Sequence, residues 1–149
     1  MRKQSSTHIS PIGLSLIKSF EGFYPKAYLC PAGLQTIGYG HVIRPGEVFA
    51  QPLSETQAET LLRQDVFFAE AAVDRLIKVP LTQGQFDALA SFTFNCGAGS
   101  LQRSTLRACI NRQEHERVPE ELLKWTRVGG KIVSGLLRRR MAEAALYTT

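Results

Sequence analysis

A long amphipathic helix at about residues 55–78 is the feature that most restricts how this chain can fold. Ser54-Glu-Thr-Gln57 has the spacing of a capping box, in which two side chains bond to each other's backbone amides at a helix start. Apolar residues then recur every three or four positions until Pro80 ends the pattern. They are Leu62, Val66, Ala69, Val73 and Leu76. We therefore expect one apolar face along this helix.

The segment before this helix predicts one short helix and a small sheet. Ser10-Pro11 reads as a helix start, and Glu21-Gly22 as its end, because serine caps a helix and glycine closes one. The stretch from Phe23 to Gly46 is rich in glycine, proline and aromatic residues. Within it, Tyr28-Leu29 and residues 34–43 are predicted as short strands around turns.

The segment after the long helix is predicted to be helical. Thr82-Gln-Gly-Gln85 is a second capping box, and the helix that it opens is expected to end at Gly97 and Gly99. Further helices are expected at residues 104–112, 119–126 and 134–147, the last one capped by Ser134, after a turn at Gly129-Gly130. The predicted class is α+β with helices dominant.

Composition is consistent with a single compact domain. The chain has 149 residues, 44% of them hydrophobic, which is enough for a core without disulfides or metals. The three cysteines are odd in number and lack CxxC spacing, which argues against a disulfide framework and a cysteine zinc site. The polar start from Met1 to Ser10 does not resemble a signal peptide, and no window is long and apolar enough to span a membrane.

The net charge of +5 is concentrated near the C-terminus. From Lys124 onward the chain has six basic residues and one acid, Glu143. The basic residues are Lys124, Arg127, Lys131, Arg138, Arg139 and Arg140. Such a surface suits nucleic acid, anionic lipid or cell wall, although an ordinary solvated helix face has the same pattern. No helix-turn-helix or RNA-binding signature accompanies it, so nucleic acid is the least favoured partner.

Glu21 is the main candidate for catalysis. It is predicted at the C-terminal end of a helix, where the helix dipole disfavours a charged carboxylate. Desolvation by Phe20, Phe23 and Tyr24 would act in the same direction, so we expect a raised pKa for Glu21. A carboxylic acid that stays protonated near neutral pH can protonate the leaving oxygen of a glycosidic bond. The alternative interpretation is an ordinary surface acid at a helix end.

The spacing of Glu21, Cys30 and Thr36 resembles that of phage lysozymes of glycoside hydrolase family 24. Further segments match in order along nearly the whole chain. They are Thr36-Ile-Gly-Tyr-Gly-His41, Gln64-Asp65-Val66, Phe94-Asn95-Cys96-Gly97, Trp125, and Gly135-Leu-Leu-Arg-Arg-Arg140 with Glu143. The resemblance implies a lysozyme-like fold. In that fold a small sheet lobe (roughly 11–53) and a C-terminal helical lobe (80–149) would be joined by the helix at about 55–78.

The resemblance also implies an activity, which is hydrolysis of peptidoglycan between N-acetylmuramic acid and N-acetylglucosamine. Glu21, Cys30 and Thr36 would lie in a cleft between the lobes, with Glu21 as the acid. Cys30 and Thr36 would hold a water, or stabilise the developing sugar cation, on the opposite face of the ring. No cofactor is implied. The protein would act as a monomer, accumulate in the host cytoplasm and reach the wall through a holin-type pore, held there by Arg138, Arg139 and Arg140.

Cys30 departs from the commonest family pattern, which has aspartate at this place. A neutral thiol is a poor hydrogen-bond acceptor and carries no charge for an oxocarbenium ion. A thiolate would serve better, but an unperturbed thiol is mostly protonated at neutral pH and Glu21 would not lower its pKa. The two-carboxylate template therefore assigns neither an inverting nor a retaining outcome. A plain packed thiol is the alternative.

Other candidates have weaker signals. His41 and Asp65 are expected to form a structural pair, as the matching family positions do, and the three scattered histidines predict no metal site. Asn95 would line the cleft or close a turn, and Trp125 would stack on sugar or belong to the core. Cys96 and Cys109 are interpreted as packing residues.

Two rival functions remain open from the sequence. A lytic transglycosylase breaks the same bond with one glutamate and no second carboxylate, which would suit Cys30. A non-catalytic cationic module would bind the wall or disrupt membranes through the helix that contains Arg138–Arg140.

Overall fold

The computed structural model of this protein describes residues 6–149, so the first five residues of the polar start from Met1 to Ser10 lie outside the described residues. The described part is dominated by helices and has one small antiparallel sheet and one short hairpin, which confirms the predicted α+β class. It divides into two compact units. One is Ile17–Phe67, and the other combines the chain up to Leu16 with Phe68–Thr149. Within residues 6–149, no helix is both long and apolar enough to cross a membrane.

The unit Ile17–Phe67 contains the three-stranded sheet. The end of helix α1 (Pro11–Glu21) leads into strands β1 (Tyr24–Leu29), β2 (Gln35–Gly38) and β3 (His41–Val42), which pair in that order. Helix α2 (Glu55–Leu76) begins as predicted. The Ser54 amide donates to Gln57 Oε1 at 2.9 Å, and the Gln57 amide donates to Ser54 Oγ at 3.1 Å. Two of the amides at the start of α2 that lack a partner within the helix are thus satisfied.

The second unit is built around helix α3 (Gln83–Cys96), which starts with the predicted capping box of Thr82 and Gln85. Residues 86–93 of α3 are all buried, so this helix forms the centre of the core and not an amphipathic surface. Around it lie α4 (Ala98–Arg103), α5 (Thr105–Asn111), a 3-10 turn (His115–Arg117), α6 (Val118–Leu122) and α7 (Ser134–Tyr147).

Helix α7 buries charges that the sequence suggested would be on the surface. Arg139 and Arg140 are 4% and 0% exposed, and only Arg138 of the three arginines is exposed. Arg140 Nε lies 2.9 Å from Glu143 Oε1, and Ser91 Oγ donates to Glu143 Oε2 at 2.6 Å. Burial raises the pKa of Glu143, while Arg140, Ser91 and Arg139 oppose this shift. The expectation that Arg139 and Arg140 hold the protein on an anionic wall was therefore wrong.

Some predicted boundaries in this unit were also wrong. Gly97 ends α3 alone with φ of 92°, and Gly99 lies inside α4 and ends nothing. The helix expected to run to Thr126 stops at Leu122. A hairpin follows, formed by β4 (Arg127–Val128) and β5 (Lys131–Ile132). Its turn is the predicted Gly129-Gly130, where both residues have positive φ, as a two-residue hairpin turn of the I′ type requires. Ser134 is the first residue of α7, and Val133 occupies the cap.

Candidate active site

Glu21 is the last residue of α1 and is half-buried. The helix ends there because Gly22 adopts a φ of 75°, and the Gly22 amide donates to the Lys18 carbonyl at 2.9 Å. Phe20 and Phe23, on either side in sequence, are also half-buried. The local sequence thus places one carboxylate at the end of a helix among aromatic residues, as predicted.

Gly40 fixes the space available to the Glu21 carboxylate. Gly40 lies in the turn between β2 and β3 with φ of 77°, a conformation that favours glycine. A Cβ built on Gly40 would lie only 2.6 Å from Glu21 Oε1. The turn backbone therefore packs directly against the carboxylate, and no side chain fits between them.

Cys30 and Thr36 lie on the two sides of the β1–β2 turn. The Cys30 amide donates to the Leu34 carbonyl at 3.0 Å, and the Gly33 amide donates to the Cys30 carbonyl at 2.8 Å. Thr36 is in β2 and only 2% exposed, and its hydroxyl donates to the Leu34 carbonyl at 3.0 Å. Cys30 is half-buried. The turn thus brings a thiol and a hydroxyl to the same place.

The turn also changes the acidity of the Cys30 thiol. A hydrogen bond from the Leu34 backbone lowers the pKa of Cys30, and one from the Thr36 hydroxyl acts in the same direction. Both bonds favour the thiolate because they are donated to the charged form. These donors could not be predicted from the sequence, because they depend on the folded turn. A larger thiolate fraction follows than for an ordinary cysteine.

Tyr28 is influenced by the charges of both Glu21 and Cys30. The pKa of its phenol is raised by burial first, and then by the neighbouring Tyr24, Glu21 and Cys30. The charges of Glu21 and Cys30 therefore both act on one hydroxyl. Glu21, Cys30 and Thr36, the three residues predicted from the sequence, all belong to the unit Ile17–Phe67.

His41 and Asp65 are in contact, as the sequence predicted. His41 is buried in β3, and its Nδ1 lies 2.8 Å from Asp65 Oδ2 of helix α2. The other ring nitrogen, Nε2, lies 3.1 Å from Glu47 Oε1, a partner that the sequence did not reveal. The Arg44 amide, and secondarily His41, lowers the pKa of Glu47. Both ring nitrogens are thus occupied by carboxylates, which suits a positioning role.

Asn95 and Trp125 belong to the second unit. Asn95 is exposed at the end of α3, and its Oδ1 accepts a hydrogen bond from Arg140 Nη2. Trp125 is half-buried, and its ring meets Phe92 edge-on at 5.4 Å between centroids, next to the core. Both of the roles weighed for each residue stay predictions. Cys96 is half-buried and Cys109 is buried, and all three cysteines are free thiols.

The described residues offer no ready metal site. Nowhere in residues 6–149 do three or more His, Cys, Asp or Glu side chains come together in a way that could hold a metal ion.

Residues 18–143 match the phage lysozyme family. This matched range contains every residue of the site. The chain belongs to the phage lysozyme family. It is 45% identical over 147 residues to the endolysin of Bacillus phage B103, covering 95% of this chain and 54% of that protein. It is 43% identical to the endolysin of Acyrthosiphon pisum secondary endosymbiont phage 1, covering 94% of this chain and 97% of that protein. The chain thus spans about half of the first relative and nearly all of the second.

Solved structures of family members have the same fold. The endolysin from Escherichia coli O157:H7 phage FAHEc1 matches with a TM-score of 0.86 and 39% identity, covering 97% of this chain and 96% of that one. The muramidase domain of SpmX from Asticaccaulis excentricus matches with a TM-score of 0.86 and 36% identity. That match covers 95% of this chain and 98% of the other. The family resemblance stated from the sequence is confirmed.

The Gly40→Ala variant tests whether the turn positions the carboxylate. The added methyl would collide with Glu21 Oε1, and displacement of a catalytic group by about 1 Å can reduce a rate about 100-fold. We therefore expect Gly40→Ala to clear peptidoglycan about 100-fold more slowly than the parent. Gly46→Ala is the matched control, because Gly46 also has positive φ (87°) but no atom within 4 Å of its added Cβ. Equal activity of the two variants would contradict the role of Gly40.

Proposed function

We propose that this chain hydrolyses bacterial peptidoglycan at the β-1,4 bond between N-acetylmuramic acid and N-acetylglucosamine, with Glu21 as the acid. The proposal rests on the half-buried Glu21 carboxylate, which packs against Gly40 in the same unit as Cys30 and Thr36. Membership of the phage lysozyme family supports the activity, since the relatives are endolysins and a muramidase domain. The enzyme is then a glycoside hydrolase of the lysozyme type, and its action on the cell wall lyses the host.

In the first step, Glu21 donates its proton to the glycosidic oxygen as the bond to the anomeric carbon breaks. Positive charge then develops on the muramic acid ring, and an oxocarbenium-like transition state forms. Because Gly40 has no Cβ, the carboxyl can lie beside the β2–β3 turn, where an added Cβ would be 2.6 Å from Oε1.

Thr36 is suited to hold a water for the second step. Its hydroxyl has one hydrogen, which is donated either to the Leu34 carbonyl or to the Cys30 sulfur. In either case the oxygen lone pairs remain available to accept a hydrogen bond from water. Because Thr36 is 2% exposed and fixed in β2, such a water would be held in a definite place.

Cys30 takes the place of the usual carboxylate through its thiolate. The Leu34 and Thr36 hydrogen bonds lower the pKa of the thiol, so a larger fraction is negatively charged at neutral pH. That charge would stabilise the sugar cation or accept a proton from the attacking water. Catalysis by Cys30 therefore depends on the fraction of the thiol that is ionised. An aspartate would be ionised at neutral pH without help from its neighbours.

Access to the wall and assembly are further parts of the proposal. Peptidoglycan is the substrate. We predict that the protein accumulates in the host cytoplasm and is released through a holin-type pore. We also predict that it is a monomer. Because Arg139 and Arg140 are buried, only the exposed basic residues of the segment from Lys124 onward are available there to an anionic wall. These are Lys124, Arg127, Lys131 and Arg138.

The Thr36→Val variant tests the origin of the thiol acidity. Valine keeps the shape but removes the hydroxyl donor, so the pKa of Cys30 should rise towards that of a free cysteine. The measurement is a pH titration of thiolate ultraviolet absorbance, taken as the difference between each protein and its Cys30→Ser counterpart. Because Cys96 and Cys109 are present in both proteins of each pair, their signals cancel in this difference. An unchanged titration midpoint would contradict the contribution of Thr36.

The proposed function is tested by digesting purified peptidoglycan and analysing the soluble products by mass spectrometry. The parent protein should release fragments with a reducing muramic acid end, and Glu21→Gln should be at least about 100-fold slower, because general acid catalysis is lost. Cys30→Asp should retain or exceed the parent rate. Anhydro-muramic acid products would instead indicate a lytic transglycosylase. Undiminished release by Glu21→Gln would overturn the assignment of the acid.

A further inference from the structure

Strand β1 contains an irregularity next to the candidate active site. Tyr24 pairs with Gly38, and Tyr28 pairs with Thr36. The register between β1 and β2 shifts between these two pairs. In β1, Tyr24 and Tyr28 are four positions apart, whereas their partners in β2 are separated by two. Extra residues are therefore accommodated in β1, as in a β-bulge.

The sequence explains why the irregularity forms here. Pro25 has no backbone amide, so it cannot donate to the ladder with β2. Its carbonyl accepts instead from the Leu53 amide at 2.8 Å, and the Ala27 amide donates to Gln51 Oε1 at 3.0 Å. The backbone groups that leave the ladder are thus bonded by residues 51–53. The bulge is held by specific hydrogen bonds and is not a frayed strand end.

The bulge brings two aromatic rings together. Two residues four apart in a regular strand lie about 13 Å apart along the chain. The rings of Tyr24 and Tyr28, however, have centroids 4.2 Å apart at an angle of 33°. Tyr24 is 44% exposed, so the pair presents aromatic surface to solvent. Bulges commonly redirect a side chain next to an active site.

This pair lies beside the residues proposed for catalysis. Tyr28 is directly opposite Thr36 on the neighbouring strand, and side chains at such paired positions lie on the same face of a sheet. Cys30 is two residues further along the chain. The Tyr28 hydroxyl is also near enough to Glu21 and Cys30 for their charges to oppose its ionisation.

We propose that the Tyr24–Tyr28 pair binds a pyranose ring of the glycan strand. A pyranose has an apolar face of C–H groups and a polar rim, and C–H groups carry the partial positive charge that the face of an aromatic ring attracts. The inference rests on the proposed function, because it assumes that the glycan is the substrate.

The test measures affinity without turnover, in the Glu21→Gln background, by calorimetry. The ligand is soluble glycan from peptidoglycan whose peptides have been removed by an amidase. Tyr24→Ala should weaken binding about tenfold, the amount that corresponds to one stacked ring. Tyr24→Phe and Tyr28→Phe, which keep both rings, should bind within about threefold of the background protein. Phe68→Ala removes an exposed ring of α2 and should leave the affinity unchanged.

With Glu21 restored, Tyr24→Ala should raise KM and leave kcat near the parent value, because the ring contributes to binding and not to bond breaking. Unchanged affinity in Tyr24→Ala would overturn the proposed role of the pair. Equal losses in Tyr24→Ala and Tyr24→Phe would also overturn it, since the hydroxyl and not the ring would then matter. Continued cleavage by Glu21→Gln refutes only the acid assignment. The tyrosine role is judged separately, from the ratio of the Tyr24→Ala and Tyr24→Phe affinities.

Discussion

The position of the Glu21 carboxylate against the Gly40 backbone is the constraint on which the site depends. A helix that ends at Gly22 delivers the carboxylate, and the turn between β2 and β3 limits where it can go. Two glycines are needed for different reasons. Gly22 allows the chain to leave the helix, whereas Gly40 both adopts positive φ and leaves room that any Cβ would take from Glu21.

The β1–β2 turn provides the remaining groups by similarly local means. Pairing of Cys30 with Leu34 closes the turn, and the same turn supplies the backbone and hydroxyl donors that lower the pKa of the thiol. Under the proposed function, this lowered pKa would compensate, in part, for the absence of a carboxylate at this place. An aspartate would be ionised at neutral pH without such help. The chemistry of the site is therefore coupled to the geometry of one turn, and a change at Thr36 is expected to affect Cys30.

The local features of the fold could be predicted from the sequence, because they depend on residues near each other in the chain. Both capping boxes, the end of α1 at Glu21 and the Gly129-Gly130 turn follow from such patterns. Contacts between distant segments could not be predicted in this way. The burial of Arg139 and Arg140 depends on Ser91 and Glu143, and a run of arginines looks the same whether it is buried or solvated.

The candidate site shows the same division. Glu21, Cys30, Thr36 and the His41–Asp65 pair were identified through the family resemblance and not through physical patterns alone. The Gly40 contact and the second histidine partner, Glu47, require the folded hairpin to be known. The stacking of Tyr24 on Tyr28 was equally hidden, because a regular strand would keep these rings far apart and the sequence does not reveal the bulge.

In the proposed mechanism, Glu21 donates the proton to the leaving group. The most direct measurement compares the Glu21→Gln variant with the parent on two substrates that share the same sugar. One is the natural glycan, whose leaving oxygen needs a proton, and the other is an aryl glycoside whose nitrophenolate leaves without one. We expect a loss of at least about 100-fold on the glycan and a nearly parental bond-breaking rate on the aryl glycoside. An equal loss on both substrates would contradict it, because Glu21 would then act at a step other than protonation.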